Sequence, residues 1–322
     1  MSTAPSLTEL GSIESARAVH ETMTLHRALD TRLATLQREG ELPYFAPVLG
    51  EEGAVVGAMA ALEPTDWVFA TARESRGALA RGVSVEAFLA QVLGRAADHA
   101  MGRQAPGHYS SRAARFQASS GVVGAHLLHA VGVGWAARTQ RSGEVALAFF
   151  GDGAAASEGF HNALNFAGVF RAQAVLVCRN NGSAAARGEA ATETVAERAI
   201  AYGLVSERVS GASVGAVRAA VARAAARARA GDGATLVEVV TTRLGEAGSD
   251  CPIARLRADL VAAGAWDDAA EAALTARVLA SVDAALEAAR AMRAPDPRSM
   301  VDFVYATVPA HLADELRELG RR

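Results

Sequence analysis

The chain has 322 residues, of which 51% are hydrophobic, and a formal net charge of −3 at pH 7. This length and apolar content fit one large α/β domain or one domain plus a helical extension, and the near-neutral charge gives no sign of a polybasic nucleic-acid or membrane surface. The 32 Lys and Arg residues are all arginine, which excludes a P-loop lysine, a pyridoxal Schiff-base lysine and a lysine nucleophile. Two cysteines, Cys178 and Cys251, are too few for a disulfide framework or a zinc site.

The start of the chain carries no secretory or membrane signal, since no apolar core follows a cationic stretch. The sequence therefore predicts a cytoplasmic protein. Residues 1–12 are small and polar and are expected to form a loose arm, and residues 13–322 a single domain. Apolar residues recur at helical spacing over residues 13–38, and a Gly-Glu-Glu segment opens a second predicted helix within residues 50–62.

Three stretches carry a candidate polar side chain or a glycine that admits a ligand. Residues 66–74 include Arg73, whose guanidinium either suits a phosphate or is solvated on a helix. Residues 102–109 predict a loop that carries His108, either an active-site polar group or an ordinary loop histidine. Gly121 precedes another predicted helix and permits close approach of the backbone to a ligand.

The chain is organised around a strand–helix–strand pattern. An apolar run over residues 145–150 ends in a Gly-Asp-Gly turn, a helical pattern fills residues 154–170, and a second apolar run over residues 174–178 ends in an Asn-Asn pair. This length is typical of a right-handed parallel crossover. Asp152 and Asn181 are therefore expected at the carboxyl ends of two parallel strands, where open α/β sheets bind ligands.

The residue types at this edge indicate a metal and a diphosphate. A carboxylate and an amide oxygen are hard donors that suit Mg²⁺ or Ca²⁺, and Mg²⁺ is often completed by phosphate oxygens. Gly151 and Gly153 let a diphosphate approach the backbone, and the following helix points its N-terminus at the anion. The tripeptide recurs as Gly231-Asp232-Gly233, but that copy precedes a strand and no Asn pair follows, so it is predicted to be a connecting turn.

The Gly-Asp-Gly turn followed by Asn-Asn resembles the thiamine diphosphate motif. The residues around it, 149–170, resemble the α subunit of 2-oxo acid dehydrogenases, the branched-chain type most closely, and the resemblance extends over residues 15–319. It implies an α/β fold, a parallel sheet with helices on both faces, and a C-terminal helical tail from about residue 255. It also implies oxidative decarboxylation of a 2-oxo acid, with acyl transfer to a lipoyl group.

The resemblance further implies thiamine diphosphate and Mg²⁺ as cofactors, a β subunit in an α₂β₂ heterotetramer, and a lipoyl-bearing acyltransferase component as partner. The metal ligands that it implies are Asp152, Asn181 and the Ser183 carbonyl. The cofactor-binding residues that it implies are Arg73, Gly121, Val123, Gly151, Asp152, Gly153, Ala154 and Asn181. His108 is the candidate catalytic side chain.

Two departures from the family pattern leave alternatives open. Ala72 stands where the family has a tyrosine, and Glu246 and Ala247 occupy the neighbourhood of a family loop histidine. One alternative is a degenerate α-like subunit that binds cofactor or assembles with a β subunit without full turnover. The other is a thiamine diphosphate enzyme with a non-lipoyl acceptor.

Overall fold

The computed structural model describes residues 5–118, 121–183, 188, 194–243, 251–302 and 304–320. Within these residues, seven strands form one sheet. They are β1 (Trp67–Ala70), β2 (Ser110–Ser111), β3 (Phe116–Ala118), β4 (Ala146–Gly151), β5 (Ala174–Asn180), β6 (Val205–Ser210) and β7 (Thr235–Val240). Their spatial order is β2-β3-β1-β4-β5-β7-β6. The β2–β3 pair is antiparallel and the other pairs are parallel, so the predicted parallel α/β architecture is confirmed.

Helices cover both faces of the sheet and follow its last strand. The α-helices are α1 (Pro5–Leu10), α2 (Ile13–Arg38), α3 (Glu52–Met59), α4 (Val85–Val92), α5 (Ala125–Gln140), α6 (Glu158–Val169), α7 (Ala196–Ile200), α8 (Val214–Arg229), α9 (Pro252–Ala262), α10 (Asp268–Ala291) and α11 (Ala310–Leu319). Short 3₁₀ segments lie at Glu74–Arg81, Asp152–Ala156 and Pro297–Met300. The last three α-helices correspond to the expected C-terminal helical tail.

The predicted strand–helix–strand unit is confirmed as β4, α6 and β5. The two strands run parallel, with Gly151 paired to Arg179, because the crossover through α6 returns the chain to the same end of the sheet before the second strand begins. Ser157 ends the 3₁₀ segment and its hydroxyl caps the first turn of α6. Asp152 and Asn181 therefore follow adjacent strands at one edge of the sheet.

Alternate side chains of the central strands enter two apolar cores, as the two-residue period of a strand requires. On one face β4 and β5 contribute Leu147, Phe149, Val175 and Val177, which share a cluster with residues of α2, α3, α8 and α10. On the other face they contribute Ala148, Phe150, Leu176 and Cys178, which share a cluster with α5 and α6. Each large apolar side chain buried in this way contributes about 1.5–3 kcal/mol, so the strand ends are held on a rigid frame.

The N-terminal arm differs from the expectation over its described part. Pro5–Leu10 forms a helix in place of a loose segment, and Leu10 is 1% exposed. Leu7 and Leu10 lie one turn apart and pack in a cluster with Val214 and Leu260. Packing against this cluster stabilises the short helix. The cluster includes residues far along the chain, so the local sequence did not predict it.

The described helices include none that is both long and apolar enough to cross a membrane. Cys178 is buried and Cys251 is partly buried, and both are free thiols. Cys178 packs as a small apolar side chain in the second core.

Candidate cofactor site

A cavity of about 560 Å³ opens at the carboxyl edge of β4 and β5. Its volume falls in the range of ~300–1,000 Å³ that is usual for small-molecule sites. Most residues singled out from the sequence lie in its wall: Arg73, His108, Gly121, Val123, Gly151, Gly153 and Ala154. Several that were not singled out also line it, among them Tyr44, His126 and Arg179.

Two glycines bring the opposite walls of the cavity together. A Cβ at Gly159, in the first turn of α6, would lie 2.7 Å from the Gly124 carbonyl oxygen, and a Cβ at Gly124 would lie 2.2 Å from the Ser157 hydroxyl. The loop that carries Gly121 therefore packs directly on the N-terminus of α6. A Cβ at Gly151 would meet only the Arg179 guanidinium, at 4.0 Å, so this strand end is open to a ligand.

Oxygen donors lie beside this cavity at the ends of the two strands. The Asp152 side chain is nearly buried, at 9% exposure, and Asn181 is half-buried. The Asn181 Oδ1 accepts the Ser183 N–H at 3.1 Å, which brings these two predicted ligands together. One carboxylate with amide and carbonyl oxygens fits Mg²⁺, and among the described residues no group of three His, Cys, Asp or Glu could hold a metal instead.

Behind the cavity lies a buried network of opposite charges. Arg179 donates from Nη1 to Glu51 at 2.7 Å and from Nε to Glu74, and both carboxylates are 0% exposed. Arg73 lies 3.8 Å from Glu51. Glu74 also accepts the Thr71 backbone N–H at 3.0 Å. The network fixes the two guanidinium groups at the cavity, where a diphosphate would need them.

The pKa values of the network follow from burial and charge. Burial alone would raise the pKa of Glu74, but the Arg179 charge and the Thr71 hydrogen bonds hold it below its usual value. Burial lowers the pKa of Arg179, and the two carboxylates more than reverse this, so its pKa lies above the usual value. The pKa of Arg73 is lowered by burial and by the Arg179 charge. Arg73 is therefore the less compensated of the two cations, and an incoming anion would stabilise it.

Two histidines lie in the cavity wall and differ in environment. His108 Nδ1 lies 3.2 Å from the Ala105 carbonyl of its own loop. Because His108 also lines the cavity, its polar role in the site stays a prediction. His126 is 3% exposed, and its Nε2 donates to the Phe149 carbonyl at 2.6 Å. Burial lowers the pKa of His126. His126 is therefore a buried, hydrogen-bonded part of the cavity wall.

Sequence reasoning missed the buried acids and one arginine. Glu51 and Glu74 are charged residues that precede or begin helical segments, which surface residues also do, so no pattern distinguished them. Arg179 did carry a signal, because it interrupts an apolar run just before the Asn-Asn pair. A charge inside a fully buried strand requires partners, and these partners are the two acids.

The segment in which the family histidine is missing, including Glu246 and Ala247, lies outside the described residues. Arg243 precedes it, and its charge contributes to the lowered pKa of Arg73. The chain thus brings a third arginine towards the same edge of the sheet.

The chain matches the family described as Dehydrogenase E1 component over residues 20–250. Because this match covers more than half of the chain, the protein belongs to that family. It is an α-type first component of the 2-oxo acid dehydrogenases, enzymes that perform oxidative decarboxylation, and the family generally uses thiamine diphosphate.

Named relatives agree with this class. The chain is 33% identical to the mitochondrial 2-oxoisovalerate dehydrogenase subunit alpha of Bos taurus, over 96% of this chain and 72% of that protein. It is 37% identical to the 3-methyl-2-oxobutanoate dehydrogenase subunit alpha of Mycobacterium tuberculosis, over 94% of this chain and 85% of that protein. It is 35% identical to the 2-oxoisovalerate dehydrogenase subunit alpha of Pseudomonas aeruginosa, over 98% of this chain and 83% of that protein. The predicted family is confirmed.

Proposed function

We propose that this chain is the α subunit that holds thiamine diphosphate and Mg²⁺ for the oxidative decarboxylation of a branched-chain 2-oxo acid. The observation that carries the proposal is the meeting of Arg73, Gly121 and Gly151 in one cavity beside Asp152 and Asn181. Relatives named for 2-oxoisovalerate support the substrate class. Apolar side chains, Val122, Val123 and Phe150, form part of the cavity wall, which is compatible with a branched aliphatic substrate.

Each residue has a role that its position supports. Asp152, the Asn181 amide oxygen and the Ser183 carbonyl would bind Mg²⁺. Arg73 and the backbone of the turn at residues 151–154 would hold the diphosphate. Gly121 and Val123 would contact the aminopyrimidine ring. His108 would donate a hydrogen bond or a proton to the reacting groups.

Thiamine diphosphate, when bound, supplies the electron sink that lets a 2-oxo acid lose CO₂. The chain's own part is to bind, orient and exclude water. The Glu51–Arg179–Glu74 network holds charge in place beneath the cavity, so the protein would not have to reorganise when the anion enters.

The proposal includes partners. A β subunit would complete an α₂β₂ heterotetramer, and a lipoyl-bearing acyltransferase would take the acyl group, in the cytoplasm. A second candidate, an α-like subunit with reduced turnover or with a non-lipoyl acceptor, is favoured by Ala72, which lines the cavity at the position of the family tyrosine, and by the absent histidine.

The test is purification of the chain with its β partner, followed by assays of bound thiamine diphosphate and of CO₂ release from 3-methyl-2-oxobutanoate and from pyruvate. The proposal predicts that the complex contains bound thiamine diphosphate and prefers the branched acid to pyruvate. It should be active both with an artificial electron acceptor and with lipoyl domains. Activity with the artificial acceptor alone would favour the second candidate. A complex that neither binds cofactor nor releases CO₂ would refute both.

A further inference from the structure

Glu51 lies just before α3 and is 0% exposed. Among the described residues, four side chains meet its two carboxylate oxygens. Oε2 accepts Arg179 Nη1 at 2.7 Å and lies 3.8 Å from Arg73 Nε. Oε1 accepts the Asn181 amide at 3.1 Å and the Thr241 hydroxyl at 3.0 Å. One acid thus connects the ends of β5 and β7 with the arginine that follows β1.

The contact with Asn181 decides which way its amide points. A carboxylate accepts hydrogen bonds and donates none, so the Asn181 NH₂ group must face Glu51 and Oδ1 must face away from it. The Ser183 N–H, which donates to that Oδ1 at 3.1 Å, requires the same orientation. A carbonyl-type oxygen has two lone pairs, so Oδ1 keeps one for a cation.

We infer that Glu51 is a positioning residue for the metal site, an inference that rests on the proposed function. It holds the Asn181 amide in the one orientation that presents oxygen to Mg²⁺, and its Oε2 accepts from Arg179 and lies 3.8 Å from Arg73 at the wall of the cavity. In this arrangement Glu51 would not itself be a metal ligand, because its two oxygens face Arg73, Arg179, Asn181 and Thr241. A glutamine in its place offers both a donor and an acceptor, so the Asn181 amide could turn its NH₂ towards the cation.

The adjacent residue provides a matched control. Glu52 is also 0% exposed, but it pairs with Arg27 of α2 and accepts the Gly50 N–H at 2.9 Å. The two acids therefore share burial and charge and differ in what they hold. Loss of Glu52 should weaken the packing of α2 on α3 and leave the orientation of Asn181 unchanged.

The measurement is the Mg²⁺ concentration that gives half-maximal binding of thiamine diphosphate to the assembled α/β complex, followed by equilibrium dialysis. In Glu51→Gln this concentration should rise at least about tenfold, since a misdirected buried amide forfeits a ligand and a charge-assisted hydrogen bond. In Glu52→Gln it should stay within about twofold, while the thermal midpoint falls because a buried ion pair has lost one partner. A purely structural role for Glu51 would lower the midpoint and leave the Mg²⁺ dependence unchanged.

The outcomes separate the inference from the proposed function. If the unmodified complex binds no thiamine diphosphate at any Mg²⁺ concentration, the proposed function fails. If it binds and Glu51→Gln has the same half-saturating Mg²⁺ concentration, the inference about Glu51 is wrong. If Glu51→Gln does not assemble, Thr241→Val removes one hydrogen bond from the same oxygen, and an increase of about three- to tenfold is expected from a bond of this kind; no increase would overturn the inference.

Discussion

The tripeptide Gly-Asp-Gly occurs twice in this chain, and the fold gives the two copies opposite positions. The strand-end turn, residues 151–153, follows β4 and leads into α6. The helix-end turn, residues 231–233, follows α8 and leads into β7. In a parallel sheet the first lies at the carboxyl edge, where ligands bind, and the second at the amino edge.

The glycines of the two turns are needed for different reasons. Gly231 has φ 84° and Gly233 has φ 91°, a left-handed conformation that other residues adopt only at a cost. Gly151 has φ −90°, which any residue can adopt, so its value lies in the missing side chain. The helix-end turn uses glycine to bend the chain, and we propose that the strand-end turn uses it to admit a ligand.

The difference between the two turns is tested most directly by replacing the aspartate of each. Asp152→Ala removes the carboxylate proposed for Mg²⁺, and the affinity for thiamine diphosphate should fall by at least ~100-fold, because loss of a metal ligand exceeds the loss of its supporting partners. Calorimetric titration of the cofactor into the α/β complex measures this. Asp232→Ala, at an exposed position, should bind as the unmodified complex does.

Both variants should keep the fold, since neither side chain packs in an apolar core, and their thermal midpoints check this. Unchanged affinity in Asp152→Ala would remove the strand-end turn from the cofactor site. A loss of cofactor affinity in Asp232→Ala would mean that the helix-end turn also contributes to cofactor binding, contrary to its position in the fold.

Replacing one glycine in each turn should affect different properties: cofactor binding in the strand-end turn and stability in the helix-end turn. Gly151→Ala should weaken cofactor binding by about tenfold, equivalent to a steric cost of ~1.4 kcal/mol, and should leave the apo complex as stable as before. Gly231→Ala should destabilise by about 1–2 kcal/mol, the usual cost of a left-handed residue with a Cβ, and its Cβ would lie 3.2 Å from the Arg138 guanidinium. Its cofactor affinity should not change.

Thermal unfolding of the apo complexes and cofactor titration, done on both variants, give four values. We expect Gly151→Ala to lose cofactor affinity and keep its stability, and Gly231→Ala to lose stability and keep its cofactor affinity. A stability loss in Gly151→Ala equal to that in Gly231→Ala would show that the strand-end turn is also a conformational turn.

A smaller effect is expected away from both turns, at His26. Burial and then the Arg76 charge lower its pKa from 6.5 to about 3, and a backbone contact offsets only part of this. The folded state thus holds a neutral histidine, and this contribution to stability is present above pH 6.5 and is lost as the pH falls towards 3. Between pH 7 and pH 5 the loss from this one group is about 2 kcal/mol.

His26→Leu should therefore gain stability relative to the unmodified protein as the pH falls from 7 to 5, while cofactor affinity at pH 7 stays the same. Asp30 acts in the opposite direction, because burial raises its pKa to about 6, so the difference between the two proteins, and not either curve alone, isolates His26. Denaturant unfolding at the two pH values measures that difference. An equal difference in unfolding free energy between the two proteins at pH 7 and at pH 5 would show that His26 is not held neutral in the folded state.

Much of the site could be predicted because it is local in sequence. The apolar runs, the Gly-Asp-Gly turn and the Asn pair specify β4, α6 and β5 through periodicity and turn chemistry alone. The short helix α1 and the Glu51–Arg179–Glu74 network could not be predicted in this way. They depend on contacts between residues far apart in the chain, such as Glu51 with Asn181, and a propensity scale does not contain those contacts.

The central claim is that the strand-end turn and the end of β5 together bind the metal of a thiamine diphosphate site. The most direct measurement is a crystal structure of the α/β complex grown with thiamine diphosphate and Mn²⁺ in place of Mg²⁺, with an anomalous difference map. The expected result is one strong peak in each α subunit, within about 2.5 Å of both Asp152 and the Asn181 Oδ1, consistent with oxygen coordination. A peak at another place, with cofactor bound, would contradict the assignment.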